Sequence, residues 1–235
     1  LAVNPKRSLE KQLGFYETNI ESRQFHEVLF TNNKVVKKGN LSGEKYWYDN
    51  IPPELSFCIP KIFKNLDNEI HMERINGIPY SYLYINSSLT EQNLTALLDL
   101  ILSFRQFGFK TSNNIYKNYA SKLSKRYKAY DYTPFVDSEN IFTFLSKELS
   151  EYEQSNRGVQ SVIHGDLVFT NVFLDIRGQI KLIDPRGRLG TRFDVIGDIL
   201  YDYGKVFQSL MGYDSILLNK KVNDNYANNM LKIFE

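Results

Sequence analysis

The segment from residue 162 to residue 187 constrains this chain more than any other part of it. It reads VIHGDLVFTNVFLDIRGQIKLIDPRG. Two short apolar runs in it, Val172 to Leu174 and Ile180 to Ile183, flank the pair Arg177-Gly178. Apolar runs on either side of a glycine-containing turn predict a β-hairpin. Such a hairpin must bring the residues after Ile183 back beside those that precede Val172.

Three polar side chains lie where this hairpin would bring them together. Asp166 precedes Asn171 by five residues, and Asp184 follows Asn171 by thirteen. Two carboxylates and an amide oxygen would then converge at one end of a small sheet. Hard oxygen ligands of this kind suit Mg²⁺ that bridges phosphate groups. The spacing therefore predicts a site for metal-nucleotide chemistry.

Each of these residues also has an ordinary structural interpretation. A single Asp in a loop is commonly a helix cap or a turn former. Asn171 could simply begin a strand, and Asp184 precedes Pro185, where a turn residue is common. The joint occurrence of the loop, the hairpin and the second aspartate favours the functional interpretation.

The pattern of the first part of the chain predicts strands with one helix. Residues 25–30 and 34–37 are short apolar runs joined by a polar turn, which is a second hairpin signal. Residues 41–50 have helical composition and end before Pro52-Pro53, which cannot continue a helix. Residues 69–75 are predicted to be extended and end at a turn.

Helical spacing of apolar residues dominates the larger remaining part. The predicted helices follow Thr90, an expected N-cap, and span residues 115–130, 138–153 and about 193–210. The lysines and Arg126 of the second of these helices are expected to face solvent. The last segment, residues 219–235, is polar and only weakly patterned. Together the two parts predict an α+β fold.

The composition excludes several classes of protein. Hydrophobic residues make up 42% of the chain and charged residues 24%, which are globular rather than disordered proportions. The 29 basic and 27 acidic residues nearly cancel, so there is no support for a dedicated nucleic-acid binder. A single cysteine, Cys58, excludes a disulfide framework and indicates a reduced, cytoplasmic protein.

The sequence gives no indication of a membrane segment or a leader. Its apolar stretches fall well short of the roughly 18 residues needed to cross a membrane. No signal-peptide pattern opens the chain. Because it begins at Leu1 rather than at a methionine, we expect a fragment of a longer protein.

Two short motifs of the central segment resemble those of a known superfamily. Residues 164–171 read HGDLVFTN, and residues 182–184 read LID. They resemble the catalytic loop H-G-D-x-x-x-x-N and the metal-binding loop of the protein-kinase-like superfamily, in its aminoglycoside phosphotransferase and choline kinase branch. The later pattern IDPRG, YDYGK and SLMGYD is similar to phosphotransferase-like proteins of bacterial polysaccharide clusters.

The resemblance implies a bilobal protein-kinase-like fold that transfers the γ-phosphate of ATP to a small-molecule hydroxyl. A small antiparallel-sheet lobe would precede a larger, mainly helical lobe. On this basis residues 1–75 form an N-terminal ATP-binding lobe, and residues 76–235 form a C-terminal catalytic and acceptor lobe. The resemblance extends over about residues 25–215.

The same resemblance assigns a role to each polar residue of the central segment. Asp166 would orient the acceptor hydroxyl and accept its proton. Asn171 and Asp184 would hold Mg²⁺ against the phosphates of ATP, and these are the two expected cofactors. His164 would support the loop structurally. Phosphoryl transfer depends mainly on positioning and charge neutralisation, so one base and two metal ligands form a sufficient core.

The superfamily also has a nucleotide-clamping lysine on a small-lobe strand and a glutamate on the next helix. Lys37 and Lys38 lie in one apolar run, and strand alternation points them to opposite faces. We favour Lys37, because it would share a face with Val35. Glu44 is the best-placed partner, and the alternative is that it is an exposed first-turn acid favoured by the helix dipole.

Residues 70–77, IHMERING, resemble the strand and linker that contact adenine in this branch. Backbone groups of Glu73 to Ile75 would face the adenine edge. Met72 would line the pocket, unless it is plain core. No glycine-rich phosphate loop is visible at residues 17–24, where it would be expected, although this branch often lacks those glycines.

The acceptor site is expected after Asp184, where arginines and then aspartates cluster. The arginines and aspartates of this region are Arg186, Arg188, Arg192, Asp194, Asp198 and Asp202. Asp202 would brace the catalytic loop or, less favoured, contact substrate. The arginines could meet an anionic group on the acceptor, or they could pair with the neighbouring aspartates.

The nature of the acceptor follows from charge and aromatic content. The near-neutral charge argues against a polycationic aminoglycoside. Choline kinases enclose a quaternary ammonium in aromatic side chains. The single tryptophan, Trp47, falls on the expected small-lobe helix, far from the acceptor site, although tyrosines such as Tyr201 could replace it. We therefore favour a sugar or other polyol.

Alternative functions remain open at this point. A nucleotide-binding regulatory module without transfer activity is favoured by the missing glycine loop and opposed by the complete polar trio. A choline or aminoglycoside kinase differs only in its acceptor. A protein kinase is opposed by Gly165 in place of Arg and by the lack of an A-P-E-like segment. A metallophosphatase is opposed by the presence of only three histidines. The sequence leaves the oligomeric state and the choice of ATP or GTP open.

Overall fold

The computed structural model describes residues 26–108 and 114–235, and these form two compact units. The first unit contains residues 26–42 and 62–74. The second contains residues 43–61 and those from 75 onward. The helix after the second strand therefore groups with the larger unit. The expected position of a phosphate loop, residues 17–24, lies outside the described residues.

A four-stranded antiparallel sheet makes up the first unit. Its strands are β1 (His26–Phe30), β2 (Lys34–Gly39), β3 (Ile62–Leu66) and β4 (Glu69–Glu73), in the spatial order β1-β2-β4-β3. β1 and β2 confirm the predicted hairpin. Its turn is closed by Thr31, whose Oγ1 accepts the backbone N–H of Lys34 at 3.1 Å. The extended segment predicted to follow is confirmed as β4.

Burial alternates along β4, and its partner β2 buries one residue, Lys37. In the pairing of β2 with β4, Lys37 lies opposite Ile70 and Val35 lies opposite Met72. Lys37, Ile70 and Met72 are buried, whereas Lys38 is only half-buried. Successive side chains of a strand point to opposite faces. Of the two candidate lysines, Lys37 is therefore the one on the buried face.

Three small antiparallel sheets lie among the described residues of the second unit. β5 (Gly77–Pro79), β7 (Val172–Asp175) and β8 (Ile180–Leu182) form one sheet. β6 (Gln160–Val162) pairs with β11 (Ile196–Asp198), and β9 (Arg188–Leu189) pairs with β10 (Arg192–Phe193). β7 and β8 form the hairpin predicted from the central segment, which is thus confirmed.

Helices supply most of the second unit. They are α1 (Ser42–Asn50), α2 (Tyr80–Ile85), α3 (Glu91–Phe104), α4 (Ala120–Ala129), α5 (Ser138–Gln154), α6 (Ile199–Leu210), α7 (Tyr213–Leu217) and α8 (Asp224–Phe234). The predictions of α1 and α5 are confirmed. None of the helices in the described part of the chain is long and apolar enough to cross a membrane.

The start of α3 shows how a local signal determines a helix boundary. Thr90 has an extended conformation, and its Oγ1 accepts the N–H of Asn93 at 3.2 Å. The Asn93 side chain accepts in return from the N–H of Thr90 at 3.4 Å. This reciprocal capping satisfies two backbone donors that have no partner within the helix. The helix then buries Leu94, Leu97 and Ile101 at helical spacing.

Two predicted helices begin later than expected. The helix predicted from residue 115 begins at Ala120, because Asn114 and Asn118 use their side-chain oxygens on the N–H groups of Tyr116 and Gly190. The first contact stabilises a local turn, and the second holds Asn118 to the distant residue that follows β9. The helix predicted from about residue 193 begins at 199, since β10 and β11 occupy the residues before it.

The polar C-terminal segment forms a helix that was not predicted. Asn223 caps α8 by accepting the N–H of Tyr226 at 3.0 Å. The Tyr226 hydroxyl donates to the carbonyl of Leu89 at 2.7 Å, and Met230 is buried. The Phe234 ring packs near the rings of α6. Few apolar residues suffice here because α8 packs against α3 and α6.

Gly43 in α1 and Gly187 in the segment that follows β8 allow these two parts of the chain to pack closely. Gly187 has φ = 56°, in the left-handed region. A β-carbon on Gly187 would overlap the carbonyl oxygen of Gly43 in α1. Gly178, in the turn between β7 and β8, also has a positive φ of 77°, but a β-carbon there would meet nothing within 4 Å. Both Gly187 and Gly178 have a left-handed backbone, but only Gly187 is also closely packed. Comparing substitutions at the two positions therefore distinguishes the cost of backbone strain from the cost of lost packing.

We expect Gly187→Ala to destabilise the protein more than Gly178→Ala. The left-handed conformation alone should cost about 1–2 kcal/mol in either variant, whereas Gly187→Ala must also push α1 away from its neighbour. Urea unfolding of both variants measures the difference. Equal losses of unfolding free energy would contradict the close approach of Gly187 to α1.

Candidate active site

Asp202 of α6 is buried and holds the start of residues 164–171, here named the HGD loop. Its Oδ2 accepts the backbone N–H of His164 at 2.7 Å, and its Oδ1 accepts that of Gly165 at 2.8 Å. Burial raises the pKa of Asp202 to about 7, although the two N–H donors act in the opposite direction. With both oxygens occupied and only 1% of its surface exposed, Asp202 suits bracing rather than substrate contact.

The HGD loop needs glycine at its second position. Gly165 has φ = 80°, which glycine adopts without steric cost. A β-carbon there would lie 2.8 Å from the Cβ of Arg186. Arg186 also donates its backbone N–H to the carbonyl of His164 at 2.8 Å. The loop is therefore packed closely against the segment that follows β8.

His164 and Trp47 support the HGD loop from behind. His164 is fully buried, and its ring centroid lies 5.7 Å from that of Trp47 in an edge-to-face arrangement. Trp47 is also fully buried, and its Nε1 donates to the carbonyl of Ile163 at 2.7 Å. We expected Trp47 on a small-lobe helix far from the acceptor site, whereas it packs directly against the HGD loop. The reason is that α1 packs within the second unit, directly against the HGD loop.

Asp166 lies in the middle of the HGD loop, beside a lysine that the sequence analysis missed. Its Oδ1 is 3.0 Å from the Nζ of Lys205 on α6. The side chains are 31% and 16% exposed respectively. Asn171 donates its Nδ2 to the backbone carbonyl of Asp166 at 2.8 Å. This bond fixes the amide so that its Oδ1 is the atom that can face a cation.

Asp184 follows β8 and lies between two backbone hydrogen bonds to the HGD loop. On one side, the N–H of Ile183 donates to the carbonyl of Asn171 at 3.0 Å. On the other, Arg186 bonds to His164. Asp184 has φ = 61°, which is uncommon for a residue with a side chain and recurs at functional sites. The hairpin therefore returns Asp184 to the loop that holds Asp166.

The donor atoms of this cluster suit a hard divalent cation. In the described part of the chain, no three His, Cys, Asp or Glu side chains form a metal site by themselves. A cation here would therefore need the amide oxygen of Asn171 beside the carboxylate of Asp184. Mg²⁺ is commonly bound through one or two carboxylates, with water and substrate phosphates filling the remaining positions. The Asp184 carboxylate and the Asn171 amide oxygen fit that requirement.

Glu44 is buried on α1, at 8% exposure. The alternative that it is an exposed first-turn acid is therefore wrong. Tyr48 lies one turn later on the same helix. Burial raises the pKa of Tyr48 well above its ordinary value, and the charges of Glu44 and Asp184 add to this effect. One phenol thus lies within electrostatic range of both carboxylates, which places α1 beside the Asp184 segment.

Of the other residues expected to bind nucleotide, Lys37, Met72 and Glu73 lie in the first unit's sheet, and Ile75 is the first residue of the second unit after β4. Lys37 and Met72 are buried in β2 and β4. Glu73 ends β4 and is exposed, and Ile75 follows it as a half-buried residue. The N–H of Arg74 between them donates to the carbonyl of Asn33 at 3.0 Å. These positions suit a nucleotide pocket and plain core equally, so their roles stay predictions.

Two of the residues expected to contact the acceptor, Arg186 and Tyr201, contact each other in the folded chain. Nη1 of Arg186 donates to the Tyr201 hydroxyl at 3.2 Å. Arg186 takes part in no ion pair within the described residues, so the alternative of pairing with an aspartate does not hold for it. Arg188 instead places its guanidinium 4.3 Å from the centroid of the Phe193 ring.

Lys122 is a second functional candidate that the sequence analysis missed. The lysines of its helix, α4, were expected to face solvent, and for Lys122 this is wrong. Its Nζ donates to the Tyr201 hydroxyl at 2.5 Å and lies 5.2 Å from the centroid of that ring. No local pattern distinguishes Lys122 from its neighbours. Lys205 could have been found, because it follows Asp202 by three residues and shares its helix face.

A second buried carboxylate anchors the beginning of α6. Asp198 is fully buried and accepts two backbone N–H groups through Oδ1, one of them in the first turn of the helix. Its Oδ2 accepts the hydroxyls of Tyr119 at 2.9 Å and Tyr152 at 2.6 Å. This network explains part of the tyrosine content. It also fixes the helix that carries Asp202.

Comparison with known proteins was informative only at the level of structure. No protein-family model matches the sequence, and no curated protein matches it. The choline kinase LicA from Streptococcus pneumoniae superposes with a TM-score of 0.59 at 13% identity, covering 99% of this chain and 81% of that one. An aminoglycoside phosphotransferase from Streptomyces rimosus gives 0.52 at 12% identity, covering 99% and 98%.

A glucosamine kinase gives a TM-score of 0.62 at 8% identity, covering 89% of this chain and 64% of that one. At such identities the likeness shows the fold alone. This chain has the α+β protein-kinase-like fold of the aminoglycoside phosphotransferases and choline kinases. The fold class predicted from the HGD loop and its hairpin is thereby confirmed.

We expect Asp202→Ala to lower the free energy of unfolding by about 2 kcal/mol or more, because it leaves two buried N–H groups without an acceptor. Asp99→Ala removes an exposed carboxylate from α3 and is the matched control, with an expected change within about 0.5 kcal/mol. Chemical denaturation of both variants measures the effect. Equal stabilities would show that Asp202 does not brace the HGD loop.

Proposed function

We propose that this chain is a phosphotransferase that moves the γ-phosphate of ATP to a hydroxyl of a small molecule, with a sugar or polyol favoured as acceptor. One observation carries the proposal. The HGD loop and the Asp184 segment are joined by hydrogen bonds on both sides of Asp184, so that the backbone positions of Asp166, Asn171 and Asp184 lie in two adjacent, bonded segments. A base and two metal ligands are the minimum that this chemistry requires.

In the proposed reaction Asp166 orients the acceptor hydroxyl and takes its proton as the oxygen attacks the γ-phosphorus. The bond from the γ-phosphorus to the β–γ bridging oxygen breaks at the same time, and ADP leaves with that oxygen. Asn171 and Asp184 would hold Mg²⁺, which when bound neutralises phosphate charge. Lys205, 3.0 Å from Asp166, keeps a positive charge beside the reacting groups. It would hold the Asp166 carboxylate in place and offset the negative charge of the transferred group.

The nucleotide-binding roles of Lys37, Glu44, Met72 and the backbone of residues 73–75 are part of the same proposal. So is the division into an ATP-binding lobe, residues 1–75, and a catalytic and acceptor lobe, residues 76–235. The burial of Lys37 and Glu44 supports their assignment, because buried charged groups are usually retained for a specific partner.

Solved structures of the same fold support nucleotide and sugar as ligand classes. The choline kinase LicA has been solved with AMP, and the glucosamine kinase with glucosamine, ADP and inorganic phosphate. These ligands are those of the named proteins, and we carry over only the class to this chain. We also propose that it acts in the cytoplasm and does not bind nucleic acid, as its single cysteine and balanced charge favour.

We expect Asp166→Asn to lower the rate of ATP-dependent product formation by roughly 10²–10⁴-fold, the usual contribution of a general base. Binding of Mg-ATP should be largely kept, because the carboxamide preserves the shape of the loop. ATP consumption is screened over sugars, amino alcohols and aminoglycosides, and nucleotide binding is followed by calorimetry. Asp99→Asn is the control. A variant as fast as the parent would exclude Asp166 as the base.

Asp184→Asn tests the proposed metal ligand separately. The substitution removes one negative charge that would face Mg²⁺, so we expect weaker ATP binding in the presence of Mg²⁺. Binding of ATP measured in EDTA should change little, since it does not involve the metal. Calorimetric titration under the two conditions checks this. An equal loss with and without Mg²⁺ would assign Asp184 a structural role instead.

A nucleotide-binding regulatory module without transfer activity is the second candidate function. It is favoured by the lack of glycines in the sequence at residues 17–24. It predicts that Mg-ATP raises the melting temperature while no acceptor in the same panel causes ATP consumption. The kinase hypothesis predicts consumption with at least one acceptor.

A further inference from the structure

The environment of Asp166 carries an excess of positive charge that the proposed reaction does not use. Lys122 from α4 and Arg186 from the segment after β8 both donate to the hydroxyl of Tyr201, at 2.5 Å and 3.2 Å. A neutral hydroxyl can accept both bonds. The uncharged Tyr201 hydroxyl cannot offset the repulsion between Lys122 and Arg186, which both lie within hydrogen-bond distance of it.

Neither cation has an acidic partner in the part of the chain that the structure describes. Lys122 and Arg186 take part in no ion pair there, and both are half-buried. Asp166 is a carboxylate whose charge reaches Lys122, and it is already bonded to Lys205. Half-buried cations without a counter-ion are costly to keep in a folded protein.

The acid–base behaviour of Lys122 reflects this shortage of negative charge. Burial, followed by the positive charges of Arg186, Lys205 and Arg126, lowers its pKa to about 7. The negative charge of Asp166 acts in the opposite direction. An anion bound between Lys122 and Arg186 would reverse this effect and relieve the repulsion.

The position of the two cations relates them to the acceptor rather than to the nucleotide metal. The Arg186 side chain packs on Gly165, the residue before Asp166. Tyr201 lies one turn before Lys205 on α6, and Lys205 bonds to Asp166. A group held by Lys122 and Arg186 would therefore lie beside the proposed base.

We propose that the acceptor carries an anionic group, a carboxylate or a phosphate, which Lys122 and Arg186 bind next to Asp166. This inference rests on the proposed phosphotransferase function and narrows its acceptor to an anionic sugar or polyol. It implies that cationic acceptors are excluded by the same charges. Charge-assisted bonds from the two cations would replace their present bonds to the Tyr201 hydroxyl.

The test compares four sugars that differ mainly in charge: glucose, glucuronic acid, glucose 6-phosphate and glucosamine. Binding to the parent protein is measured by calorimetric titration in the presence of Mg-ADP, and ATP consumption is measured separately with each sugar. We expect at least one of the two anions to bind about tenfold more tightly than glucose, and glucosamine to bind most weakly. The two anions distinguish a carboxylate site from a phosphate site.

Variants locate the anion site. Lys122→Gln and Arg186→Gln should each remove most of the preference for the anion over glucose. Lys128→Gln removes the same charge from an exposed position of α4 and is the matched control. Lys122→Arg keeps the charge and should retain the preference, which separates loss of charge from damage to the fold.

The outcomes separate this inference from the proposed function. If neither anion binds more tightly than glucose, or if the two glutamine variants behave like Lys128→Gln, the inference is overturned, even when ATP is consumed with a neutral sugar. If an anion binds through Lys122 and Arg186 but no sugar causes ATP consumption, the anion site stands and the transfer activity is the part that fails.

Discussion

The paired hydrogen bonds from the backbone of His164 and Gly165 to the buried carboxylate of Asp202 are the constraint on which the candidate active site depends. A buried carboxylate is costly unless donors surround it, and here the loop itself supplies the donors. The interaction fixes the loop to α6, so that Lys205 of the same helix meets Asp166. Without these hydrogen bonds, nothing would hold the loop that carries Asp166 at a fixed distance from the helix that carries Lys205.

The charges around Asp166 show why net charge is a poor guide to a site. Basic and acidic residues nearly cancel over the whole chain. Locally, three cations, Lys122, Arg186 and Lys205, lie near Asp166, the one acidic residue of the HGD loop. Asp202 is also close, but it is buried and its oxygens are used by the loop backbone. The balanced composition argued against a polycationic acceptor only weakly. The local excess argues against it directly, because like charges repel at short range.

Much of the fold could be predicted because its signals are local. The two hairpins and the Thr90 cap each depend on residues within about ten positions of one another, and all three are confirmed. The late start of α4 was missed because Asn118 bonds to Gly190, far away in the sequence. The last helix was missed because its stability comes from packing on α3 and α6 rather than from its own pattern.

The same distinction applies to the site. Spacing alone was enough to nominate Asp166, Asn171 and Asp184, because a hairpin of known length returns the chain to a known place. The inward direction of Lys122 and the position of Trp47 behind the HGD loop depended on contacts between segments up to 116 residues apart. The sequence pattern shows which residues are neighbours along the chain and whether they follow helical or strand periodicity. Packing between distant segments decides which charges share a pocket, and that arrangement exists only once the chain has folded.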